Sequence, residues 1–89
     1  MVIYPNPSDG SVPPALIIPV NSATTLKVKI FTAAFRKVWE GDYSGIAPPE
    51  YKMTLPLADK WGVPLANGLY YVKVDTNLGF YRIKWLILK

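Results

Sequence analysis

Hydrophobic and polar positions alternate along much of this chain with a two-residue period. Leu26, Val28 and Ile30 fall on one side and Lys27 and Lys29 on the other, which predicts a strand with one face buried and one in water. Residues 50–57 repeat the pattern: Tyr51, Met53, Leu55 and Leu57 oppose Lys52 and Thr54, and Pro56 is expected to end the strand. Residues 15–20 are apolar and β-branched, with Pro19 pointing to an edge position or a bulge. Residues 36–40 predict a short strand with Val38 and Trp39 on opposite faces, and residues 2–4 a short first strand.

The clearest pair of elements is C-terminal. Residues 69–74 and 80–88 flank Asp75-Thr76-Asn77-Leu78-Gly79, where Asn and Gly tolerate left-handed backbone, so a β-hairpin is expected. Tyr70, Val72 and Val74 share one face of its first strand; Tyr81, Ile83, Trp85 and Ile87 share one face of its second. Both sets are assigned to the core. The last run is apolar on both sides, so a bulge there would swap the facing.

Nine prolines cut the first two-thirds of the chain into pieces too short for ordinary helices. About seven strands at short intervals, with no helical spacers, predict an all-β fold: an immunoglobulin-like antiparallel β-sandwich occupying residues 1–89 as a single domain. With 89 residues, such a chain buries roughly 60–65% of its unfolded surface. It has no cysteine, so packing alone must hold it together. Apolar residues make up 51%, enough for a core.

The net charge of +4 raises the question of an anionic partner. The basic residues are scattered singly and mostly alternate with apolar ones, as on a solvated sheet face, which argues against a nucleic-acid surface. The longest strongly apolar run, residues 85–88, is far short of the roughly 20 residues that cross a bilayer as a helix, so no membrane span is expected. Residues 1–7 lack the basic and apolar regions of a signal peptide.

Three stretches together resemble one family. Tyr4-Pro5-Asn6-Pro7 is similar to a Y-P-N-P opening. Residues 26–38 are similar to a strand-turn-strand of the form v-x-I-Y-D-x-x-G-R-x-V. Asn67-Gly68-Leu69-Tyr70-Tyr71-Val72-Lys73-Val74, with the ending Lys84-Trp85-Leu86-Ile87-Leu88-Lys89, is similar to x-G-h-Y-h-h-x-h and a closing lysine-flanked strand. The chain thereby resembles the immunoglobulin-like modules related to the C-terminal domain of the flagellar hook-capping protein, and the C-terminal sorting domains of bacteria with type IX secretion. Thr32 and Phe35 depart from the family's Asp and Gly, so the turn is expected to differ in detail. The loop from Asp59 to Gly68 is longer than in sorting domains and closer to the hook-cap-like group. The resemblance implies a C-terminal accessory module of an extracellular or cell-surface protein. Its expected partners are the preceding domains of its parent chain and export or surface machinery.

Histidine and cysteine are absent, and with them the usual general bases, nucleophiles and transition-metal ligands. The carboxylates are dispersed beside turn formers, where capping of local backbone explains them. Asp9-Gly10 with Asn6, or Asp59 with Asn67, offers oxygen ligands for calcium, but with fewer acids than a calcium loop gathers. No catalytic residue, cofactor or metal is assigned. Two binding expectations remain: an interaction loop bearing Asp59, Lys60, Trp61 and Asn67, and a polysaccharide-stacking row of Trp39, Trp61 and Trp85. Against the second stands the ordinary reading of Trp85, and of Trp39, as core.

Overall fold

A computed structural model describes residues 1–20, 22, 24–77 and 79–89. Seven strands follow one another: β1 (Val2–Tyr4), β2 (Ala15–Pro19), β3 (Thr24–Thr32), β4 (Lys37–Ile46), β5 (Glu50–Thr54), β6 (Gly68–Thr76) and β7 (Gly79–Ile87). They form two antiparallel sheets, a three-stranded one ordered β1-β2-β5 and a four-stranded one ordered β4-β3-β6-β7. The chain changes sheet between β2 and β3, between β4 and β5, and between β5 and β6, the interlocked connectivity of an immunoglobulin-like sandwich. No described helix is long and apolar enough to cross a membrane.

The alternation read from the sequence becomes the core. Leu26, Val28 and Ile30 of β3 and Tyr70, Val72 and Val74 of β6 are buried, with Val28 paired to Val74 and Ile30 to Val72. Leu16 and Ile18 of β2, and Met53 and Leu55, close the core from the other sheet. Trp85 and Ile87 are fully buried, so no bulge swaps the facing of β7. β5 ends at Thr54, ahead of Pro56. Pro19 lies in the middle strand of its sheet, yet β1 pairs only as far as Val2↔Ile17, so its missing donor faces no neighbour.

Two local readings are corrected. Val38 and Trp39 do not lie on opposite faces: Ile30 pairs with Trp39 but Phe31 with Lys37, so Val38 is the extra residue of a bulge. Val38 is buried, and Trp39 also turns inward and packs against the core from the edge. In addition, β4 runs on to Ile46, well past Glu40, although Gly41, Asp42 and Gly45 are poor strand formers. Gly41 serves by its lack of a side chain, since a Cβ there would stand 2.6 Å from the Trp39 ring and 3.0 Å from the Tyr43 hydroxyl.

The hairpin ladder extends to Thr76↔Gly79, further into the turn than expected, and Leu78 lies outside the described residues. The segment carrying Pro5 and Pro7 lies along β7, bonded through the Asn6 side chain and the Ser8 backbone.

Candidate interaction face

The residue-level chemistry starts with carboxylates, and all but the exposed Glu50 are occupied. Asp59 Oδ1 accepts the amides of Trp61 and Val63, both at 2.9 Å, so it organises its own loop. Asn67 Oδ1 accepts the Lys89 amide at 2.8 Å. Asp9 accepts the Ser11 hydroxyl and amide, which holds its carboxyl below the ordinary carboxylate range. Glu40 takes a hydrogen bond from Lys37 at 3.2 Å, and that bond, aided by Lys37 and Lys27 charge, lowers its pKa as well. Among the described residues no group of three acidic, histidine or cysteine side chains is placed to hold a metal ion.

The three tryptophans do not form a row. Trp85 is fully buried and donates from its indole nitrogen to Ser8, so it has no face for a sugar. Trp39 lies over Gly41 with its inner side against the core. Only Trp61 is open, at 58% exposure, with the Lys60 ammonium 4.6 Å and the Arg36 guanidinium 5.4 Å from its ring centre. Of the expected interaction loop, Lys60 and Trp61 therefore face water, while Asp59 and Asn67 bond within the chain.

The outer face of the four-stranded sheet gathers what the sequence leaves dispersed. Its register sets Phe31 beside Tyr71, Tyr71 beside Lys84, and Lys73 beside Arg82. Phe35, from the β3–β4 turn, folds back and stacks on Tyr71 with ring centres 5.3 Å apart and planes 11° apart. Arg82 lies 5.9 Å from the Tyr71 ring centre and Lys73 lies 4.8 Å from that of Phe80. Phe31, Phe35, Tyr71, Lys73, Phe80 and Arg82 line a shallow depression of about 260 Å³.

Charge divides this face. On β3, β4 and β6, toward the β6–β7 turn, lysines meet carboxylates: Lys27 with Glu40 and Asp42, Lys29 and Lys73 with Asp75, all within 3.8 Å. A larger depression of about 510 Å³ lies at this end, but its Lys27, Asp42 and Asp75 are already engaged in these pairs. Toward β7 and the β3–β4 turn, Arg36, Arg82 and Lys84, like Lys60 beyond them, have no ion pair among the described residues. The uncompensated cations thus stand beside exposed aromatic rings.

Phe35 marks the site through its backbone. It stands at φ 63°, in the left-handed region that glycine enters freely and a bulky side chain enters at a cost of roughly 1–2 kcal/mol. The turn keeps its bonds, with the Phe35 amide donating to the Thr32 carbonyl at 2.8 Å and the Arg36 amide to the Thr32 hydroxyl at 3.2 Å. The turn thus differs from a glycine-bearing one in its cost, and what it gains is a phenyl ring, 63% exposed, over the sheet. Strain of this kind is retained where the side chain has a use. The sequence signal is Phe35 standing where the modules that the chain resembles carry glycine. No family model, curated protein or solved structure matches the chain.

Proposed function

We propose that the chain is a non-catalytic, immunoglobulin-like accessory module of a secreted or cell-surface bacterial protein, related to the hook-cap-like and type IX sorting modules, and that it serves attachment, export or assembly. The observation that carries this reading is the concentration of unpaired cations and exposed rings on one half of an outer sheet face, while every carboxylate except Glu50 is spent on a turn or an ion pair. Such a surface suits binding and lacks a proton-transfer pair. The expected outcome is that removing residues 1–89 from the parent protein releases it from the surface or blocks its secretion. Unchanged secretion and surface retention would overturn the reading.

A carbohydrate-binding role remains the second reading, favoured by the exposure of Trp61, Phe35 and Phe80 in place of the buried Trp85. Affinity electrophoresis against neutral and acidic polysaccharides separates the two, since a sugar-binding module is retarded and a pure assembly module is not.

A further inference from the structure

Strand β7 changes character along its length. Its second half is closed on the side away from β6. The Leu86 amide donates to Asn6 Oδ1 at 3.1 Å and Asn6 Nδ2 donates to the Lys84 carbonyl at 2.9 Å. The Ser8 amide donates to the Leu86 carbonyl at 2.9 Å, and the Leu88 amide to the Ser8 carbonyl at 2.8 Å. Backbone groups of the even-numbered residues therefore point outward. By the two-residue period of a strand, those of Phe80 and Arg82 do the same. Among the described residues nothing bonds to them on that side.

This first half of β7 is an open edge. Tyr81, on the core-facing side of the strand, is still 43% exposed, and Phe80 is 63% exposed. Edges of this kind are commonly shielded by proline, a bulge or several charges. Residues 79–83 carry no proline, and Arg82 is their single charge. Beside this edge lie the unpaired Arg82 and Lys84 and the depression between Phe35 and Phe80.

We propose that residues 80–82 of β7 bind an extended acidic peptide of a partner protein by strand addition. Its carboxylates meet Arg82 and Lys84, and an apolar side chain enters the depression. The inference rests on reading the chain as an interaction module, and it names the class of partner. Three observations favour a peptide. The free cations call for negative charge. The outward amide and carbonyl groups repeat at the spacing of another strand, which a polysaccharide does not match. The chain already binds a segment of itself along the same edge, through the backbone of Ser8 and, in place of a backbone pair, the side-chain amide of Asn6. A stacked nucleic acid fits less well, because Tyr71 is already stacked by Phe35 and Lys73 already lies over Phe80.

The test uses a short N-acetylated peptide, Glu-Thr-Val-Thr-Glu, which as a strand presents both carboxylates and the valine on one face, titrated into the isotopically labelled chain. Amide shifts and slowed hydrogen exchange are expected at Phe80, Arg82 and their neighbours, fading as salt rises. The same peptide methylated on its inward-facing backbone nitrogens should bind about tenfold more weakly or worse, having lost its donors. The double variant Arg82→Glu, Lys84→Glu should lose binding as well. Because peptide methylation leaves the protein untouched, the test does not depend on the variant folding. Equal binding of the methylated peptide, or shifts confined to the Trp61 loop or β4, would overturn the proposal. So would an alginate oligomer that perturbs residues 80–82 where the peptide does not. Intact export with no peptide binding would sink this inference alone and leave the proposed function standing.

Discussion

The indole nitrogen of Trp85 donates to the hydroxyl of Ser8 at 2.6 Å, in the buried interior, between residues 77 apart in sequence. The bond satisfies the one polar atom of the largest core side chain and fastens the N-terminal segment to the hairpin, where Tyr70 packs on the same indole with ring centres 5.8 Å apart. Ser8→Ala would strand the indole N–H away from water. The expected loss is about 1–3 kcal/mol, read as a lower urea midpoint. An unmoved midpoint would mean the indole finds another acceptor.

Trp61 should behave in the opposite way. Trp61→Ala is expected to shift stability by no more than about 0.5 kcal/mol, because the ring is exposed and its neighbours Lys60 and Arg36 stay solvated. The same change should remove most of the iodide-quenchable fluorescence, leaving the emission of Trp85 and the half-covered Trp39.

At position 35 glycine and alanine should rank against their usual order. Phe35→Gly relieves the left-handed backbone but gives up the ring stack on Tyr71, worth roughly 0.5–1.5 kcal/mol, so its net effect is small. Phe35→Ala loses the stack and keeps the strain. Thermal melts are expected to place the glycine variant about 1 kcal/mol above the alanine variant. The reverse order would contradict the positive φ.

Gly41→Ala tests the close approach of Trp39. The added methyl meets the indole at 2.6 Å, so the ring must leave its seat or the strand must shift, at an expected cost of about 1–3 kcal/mol in denaturant unfolding. A neutral result would show that the indole swings outward freely.

Burial pushes the Tyr70 phenol above its ordinary pKa, and its hydroxyl donates to the Ala66 carbonyl at 2.8 Å. A folded-state pKa above the unfolded value favours the neutral phenol. That contribution is complete below the unfolded value near 10, at about neutral pH, and is lost as pH rises through the folded one. Urea midpoints measured from about pH 9 to pH 12 should therefore fall less steeply for Tyr70→Phe than for the parent chain. Parallel slopes would argue against the shift.

Much of the sandwich was legible because alternation reports burial directly, as Leu26, Val28 and Ile30 show. The second half of β4 was not. Glycine and aspartate lower strand propensity there, and what holds Gly41 is an indole two residues away rather than anything local. The bulge at Val38 was equally hidden, since it exists only as a mismatch with β3. Of the expected site, Trp61 and Lys60 emerge exposed, whereas Asp59 and Asn67 are absorbed by backbone bonds. The face built from Phe35, Tyr71, Phe80 and Arg82 draws on a turn and two strands. Each residue looks ordinary in its own stretch, and only the register assembles them.

The N-terminal segment runs parallel to the last strand where Ser8 bridges Ile87. A pull applied between residues 6 and 88 therefore slides the two segments along each other instead of peeling them apart. The hydrogen bonds of Asn6 and Ser8 to Lys84, Leu86 and Leu88 take the load together, and none can open first without its neighbours. The seam that closes the sandwich is thus also a shear clamp, set across the path that mechanical tension would follow between the two ends of the fold.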